Sequence, residues 1–128
     1  MSTPLIELRV PPDAASVSVV RTSVASLASR HDFTLDRLED LRLATNEACA
    51  LLLDLSSEDT AALTAIVVSP ATGTLRVTLR RRGSSSTLPG PESFAWIVLN
   101  ALVDNLTVLD SDGEVHLVLT ATSGTDLA

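Results

Sequence analysis

Lysine is missing from this chain: all nine of its cationic side chains are arginine. A Walker-type phosphate loop depends on its lysine, and so does a Schiff-base or amine nucleophile, so both chemistries are excluded. Cys49 is the single cysteine, which rules out an intramolecular disulfide and any cysteine-based zinc cluster. Aromatic residues are reduced to Phe33, Phe94 and Trp96. No apolar run approaches the roughly 20 residues that a membrane-spanning helix needs. Residues 1–7 carry neither the basic nor the apolar segment of a secretory signal. The expectation is a cytoplasmic protein without membrane attachment. Positive charge is scarce as well. A formal net charge of −7 disfavours direct binding to nucleic acid, which calls for a basic face. Serines are many, but none sits in a Gly-x-Ser-x-Gly elbow, so a hydrolase triad is unsupported. His31 and His116 lie far apart without ligand spacing around them, and no metal site is expected.

What remains is a chain of 128 residues, 45 % apolar, enough for one domain around one core. Ile6, Leu8 and Val10 alternate with polar partners as a first strand, closed by Pro11-Pro12. Asp13 can cap the helix over about residues 14–31, whose apolar stripe is Val17, Val20, Val24, Leu27 and Ala28. A second helix over about 35–55 carries Leu38, Leu41, Thr45, Ala48, Leu52 and Leu55. Leu43, Ala44, Cys49, Ala50, Leu51 and Leu53 widen that stripe nearly all round, which places the helix centrally. Ser56–Thr60 reads as a polar loop. Residues 63–68 and the alternating Leu75, Val77 and Leu79 form a hairpin. Arg80-Arg81-Arg82 reads first as a solvated strand end and second as a patch for an acidic partner surface. After a Ser-rich loop, Pro91-Glu92 opens a third helix with the stripe Phe94, Ile97, Val98, Ala101 and Leu102. Strands at 106–109 and 115–121 flank an Asp112-Gly113 turn, and residues 123–128 are expected to be a loose tail after a single domain at 1–122. The order β-α-α-β-β-α-β-β implies an α+β two-layer sandwich, a mostly antiparallel sheet with helices on one face.

The segment DLRLATNEACALLL, residues 40–53, resembles the N-box helix of the anti-sigma serine kinases, the RsbW/SpoIIAB group within the GHKL, or histidine-kinase-like, ATPases of Bergerat-type fold. SFAWIVLNALVD, residues 93–104, sits where that group has its Gly-Leu-Gly-Leu box and the following helix, and LTVLDSDGEVHLVLT is similar to its final hairpin. VRTSVAS, residues 20–26, resembles the matching run of helix one, so the resemblance spans nearly the whole chain. The likeness is strongest to the actinobacterial stress-response anti-sigma factors, through Asp-Leu-Arg-Leu-Ala and the Ser93-Phe94-Ala95-Trp96 element.

The departures from that pattern concern the nucleotide site. Glu47 matches the family's general base. Four residues on, where the family has an Asn that holds Mg²⁺, stands Leu51, which offers no oxygen ligand. By alternation with Val77 and Leu79, the slot of the adenine-reading Asp falls on Arg81, a donor in place of an acceptor. Gly83 persists from the Asp-x-Gly-x-Gly box, with Ser85 at the second glycine; Ser93 and Ala95 replace the glycines of the second box, and the loop to Pro91 is short for a phosphate lid. Glu47 is therefore expected to be a vestigial base, with Phe94 and Trp96 filling the volume of the nucleotide and Cys49 serving as a small buried hydrophobe. The resemblance places Arg21, on the polar side of helix one, where the family contacts both sigma factor and antagonist. It implies an anti-sigma factor that binds an alternative sigma factor of the SigF/SigB type and an anti-anti-sigma antagonist of the STAS class, as a homodimer and without a cofactor. The alternative is an Mg-ATP-dependent serine/threonine kinase acting on the antagonist.

Overall fold

The computed structural model describes residues 3–55 and 60–125; the Ser56–Thr60 loop therefore falls outside the described residues except for Thr60. The elements are β1 (Ile6–Val10), α1 (Ala14–Arg30), α2 (Leu35–Leu53), β2 (Leu63–Ala71), β3 (Thr74–Arg82), a 3₁₀ turn at Ser85–Thr87, α3 (Phe94–Leu102), β4 (Asn105–Ser111) and β5 (Glu114–Thr122). The strands form one sheet in the order β1-β2-β3-β5-β4, and every pairing is antiparallel. This is the α+β sandwich expected from the element order.

Local chemistry sets the boundaries. The Asp13 carboxylate accepts from the Ser16 N–H at 2.8 Å and opens α1. Thr34 caps α2 by accepting from the Arg37 N–H at 3.3 Å. Asp112 and Gly113 both take positive φ, 54° and 77°, the conformation a two-residue turn between twisted strands requires. Pro91 and Glu92 lie ahead of α3 rather than inside it, because Ser93 is the capping residue.

The core lies between the sheet and the helices. Leu63, Ala65 and Val67 of β2, Leu75, Val77 and Leu79 of β3, and Val115, Leu117 and Leu119 of β5 are all buried. They meet Val20 and Val24 of α1, Leu41, Ala44, Ala48 and Leu52 of α2, and Leu99 of α3. Each fully buried Leu or Val contributes about 1.5–3 kcal/mol, more than the roughly 1 kcal/mol of a cap, so packing decides the fold and caps trim its ends. α2 does lie across the middle, but its burial is not all-round: Leu43 is 45 % exposed, and Glu47 and Ala50 face solvent. The tail expected to be loose from residue 123 is held at its start. Ser123 is buried, donates to the Gly73 carbonyl at 2.8 Å and accepts from the Thr34 N–H at 2.9 Å, while the Thr125 hydroxyl donates to the Asp32 carbonyl. Among the described residues, no helix is long and apolar enough to cross a membrane.

Candidate functional site

α2 carries three of the residues singled out by sequence, Glu47, Cys49 and Leu51. Glu47 is exposed on its solvent side. One turn on, Leu51 is half-buried against the core, so the neighbour of Glu47 along the helix is hydrocarbon. Cys49 points the other way and is fully buried; burial disfavours the thiolate and pushes the thiol up to about 12, which leaves it inert.

Arg81 departs from the solvated strand end expected of it. The alternation of β3 sends it inward with Val77 and Leu79, and it is only 4 % exposed. Its Nε donates to the Ala61 carbonyl at 2.9 Å. Its Nη1 donates to the carbonyls of Leu52 at 3.1 Å and Leu53 at 3.3 Å. These last two lie at the end of α2, where the Leu52 carbonyl also accepts from the Leu55 N–H at 3.3 Å, and a cation is favoured at that end of the helix dipole. Arg81 thus fastens β3 to the end of α2. Arg80 and Arg82 alternate to the opposite face of the sheet.

The N-terminus of α3 is also occupied by its own chain. Ser93 Oγ accepts from the Ala95 N–H at 3.3 Å. Trp96 is half-buried, and its Nε1 donates to the Pro89 carbonyl at 3.0 Å. It thereby ties the preceding loop to the helix, beside a cleft of about 400 Å³ shared with Leu88, Asn100, Leu106 and Val108. Phe94 does not fill the interior: it is 75 % exposed, and Ile97 is 60 % exposed. The inward face of α3 runs instead through Trp96, Leu99 and Leu102 to Val103.

Arg21 is less free than its place on the polar side of α1 suggests. Its Nη1 donates to Asn46 Oδ1 at 2.7 Å, bridging α1 to α2 beside a cleft of about 200 Å³ that reaches Val17, Ala50 and Leu53. Sequence reasoning missed Asn46. Its signal was a lone amide beside Glu47 on an otherwise apolar stretch of helix. Among the described residues, no three His, Cys, Asp or Glu side chains cluster as a metal site.

A five-stranded antiparallel sheet with three helices packed on one face, the N-box-like helix lying across it, defines a protein of the histidine-kinase-like ATPase fold. A solved structure of the RsbU and RsbW domains of Rv1364c from Mycobacterium tuberculosis shares this fold, with a TM-score of 0.74 over 94 % of this chain and 32 % of that one, at 14 % identity. The anti-sigma-F factor RsbW of M. tuberculosis is 31 % identical over 101 residues, 79 % of this chain and 59 % of the relative. The serine-protein kinase RsbW of Bacillus cereus is 29 % identical over 88 % of this chain and 82 % of its own length. Proteins named anti-sigma-F factor RsbW and serine-protein kinase RsbW are thus among the homologues of this chain. The chain spans about six-tenths of the length of the mycobacterial relatives it matches. No protein-family model matches it.

Proposed function

We propose that this chain is a cytoplasmic anti-sigma factor that works as a partner-binding module, sequestering an alternative sigma factor of the SigF/SigB type. An anti-anti-sigma antagonist of the STAS class releases it by competing for the same surface, and the working form is a homodimer. The names of its relatives, an anti-sigma factor and serine-protein kinases, support the class of partner.

The observation that carries the non-catalytic half of this reading is Arg81. A kinase of this fold needs an acceptor for the adenine amino group, oxygen ligands for Mg²⁺ and free amides for the phosphates. The corresponding positions offer a buried guanidinium bonded to backbone carbonyls, a leucine at 51, and a helix start capped by Ser93. Mg-ATP does not fit them. Glu47 is left as a carboxylate without its metal partner, and it plays no catalytic part. Arg21 is the proposed partner contact: a guanidinium with donors to spare after Asn46 is a good interface anchor.

The kinase remains the competing reading, favoured by the retained Glu47 and by the naming of the Bacillus relative as a serine-protein kinase. One experiment separates the two. Sigma factors of the SigF/SigB type from the same host are titrated against the chain by fluorescence anisotropy, then displaced with a STAS antagonist in the presence of Mg-ATP, Mg-ADP or neither. Equal midpoints and an unmodified antagonist are expected, and Arg21→Ala should weaken sigma binding by about 5–150-fold, the equivalent of 1–3 kcal/mol. A midpoint that moves several-fold with ATP, or a phosphate on the antagonist, would return the chain to the kinases. Absence of binding to every such sigma factor would refute the anti-sigma reading itself.

A further inference from the structure

The face of the sheet turned away from the helices carries a cluster that the proposed function does not use. Register places Arg9 of β1 opposite Thr64 of β2, Thr64 opposite Arg80 of β3, and Arg80 opposite His116 of β5. One row across the sheet thus holds two arginines and a histidine. Arg82, two residues along β3 and on the same face, pairs in register with Glu114. Arg9, Arg80, Arg82, Thr60 and Glu114 line one cleft of about 430 Å³.

The charge balance of this cleft runs against that of the whole protein. The chain carries −7, yet among the described residues that line the cleft three guanidiniums face a single carboxylate, a difference of two positive units. Among the described residues, the ion pairs are Arg37 with Asp40 and Asp104, and Arg42 with Glu39; none of the three cleft arginines takes part. Arg80 Nε is buried and has no hydrogen-bond partner. A buried donor left unpaired is unfavourable, and so is the gathering of like charges; an anion seated among the three side chains relieves both. Guanidinium forks suit a tetrahedral oxyanion, which can take paired donors from more than one arginine.

We propose that the Arg9–Arg80–Arg82 cleft is a binding site for a dianionic phosphate group, borne by inorganic phosphate or by a small phosphomonoester. Its three arginines project from the face of the sheet opposite α2 and Arg81, although the lining also includes Ala61, whose carbonyl accepts from Arg81; the proposal is independent of the partner-binding reading.

The test is calorimetric titration of the full chain with inorganic phosphate and, in parallel, with glycerol 3-phosphate, each against sodium chloride of equal ionic strength. Sedimentation velocity is run on the same samples. The expected result is saturable binding that chloride does not reproduce. Tighter binding of the monoester would point to an organic phosphate, and equal or tighter binding of the free ion to inorganic phosphate. Arg80→Ala and, separately, the exposed Arg82→Ala should each weaken binding at least ten-fold while circular dichroism stays unchanged. Arg30→Ala, which removes a charge at the far end of α1, should leave it unaltered. Arg80→Lys, which keeps the charge without the fork, should fall between. Binding that chloride reproduces, binding that survives both Arg80→Ala and Arg82→Ala, or a dimer whose sheet face is closed to phosphate would overturn the proposal.

Discussion

Replacing Arg81 by alanine should be among the most damaging single changes in the protein, and the structure sets its size. The side chain is 4 % exposed and donates from Nε to Ala61 and from a shared Nη1 to Leu52 and Leu53. Hydrogen bonds to a charged group are worth about 1.5–3 kcal/mol each net of water. The forked pair from Nη1 counts as one. Alanine removes both, takes the guanidinium donor from the Leu53 and Ala61 carbonyls while Leu52 keeps the Leu55 N–H, and opens a cavity. The desolvation already borne by the buried cation offsets part of this, which leaves a loss of about 3–5 kcal/mol. An unfolding entropy near 2.1 cal/mol/K per residue, over 128 residues, makes each kcal/mol worth about 4 °C. The melting midpoint should therefore fall by about 10–20 °C in calorimetry. Arg81→Met, which refills the volume without the donors, should recover part of the fall. Arg81→Asp, which puts an acceptor where the donor stands, should be worse than alanine, because it sets a carboxylate against the negative end of α2, and under the proposed function it should gain no affinity for Mg-ATP. A fall of less than about 4 °C in Arg81→Ala would refute the reasoning, since the guanidinium would then be a replaceable surface contact.

Cys49 and Gly124 give two further tests. The Cys49 thiol is held protonated to about 12 against an ordinary 9.0. Between those values the unfolded chain loses a proton that the folded chain keeps, so stability should decline as pH rises, by up to about 1.4 kcal/mol per unit. With no lysine and no tyrosine in the sequence, few other side chains titrate there. Urea unfolding of Cys49→Ala should show a flatter alkaline decline, and an unchanged slope would remove Cys49 as its source. Gly124 has φ +76°, and a Cβ built on it lies 2.5 Å from Arg37 Cγ, so Gly124→Ala should cost about 1–2 kcal/mol; an unaltered urea midpoint would mean that this segment is not anchored to the fold.

Alternation and helical spacing located every strand and helix, because the sheet buries one face and the helices one stripe, which are the conditions under which such patterns form. They failed where the pattern carried no phase. FAWIVLNAL, the whole of α3, has one polar residue, so its apolar residues cannot say which side faces inward. The choice falls to tertiary packing, which takes Trp96, Leu99 and Leu102 and leaves Phe94 and Ile97 outside. The anchoring of Ser123 was invisible for a related reason: its partners, Gly73 and Thr34, are distant in the chain, and nothing local marks a serine as buried.

Arg81 joins these two lessons. Alternation assigned it to the inner face, whereas its residue type argued for solvent, and sequence alone cannot weigh one against the other. What settles the conflict is the supply of acceptors. A helix that ends inside the protein leaves carbonyls that need donors, and the Leu52 and Leu53 carbonyls stand 29 and 28 residues from Arg81 along the chain. A guanidinium is long enough to cross from the strand to the helix end and has several donors to share. An aspartate in the same place could not satisfy carbonyls, so those groups would have to turn to water or to other donors. Under the proposed function, a donor at this position does more than withdraw a nucleotide contact: bonded to these carbonyls, the side chain is part of the scaffold. Under the proposed function, a reversion to nucleotide binding would have to supply new donors for the end of α2 at the same time as it rebuilt the pocket, and single substitutions at 51 or 81 cannot do both.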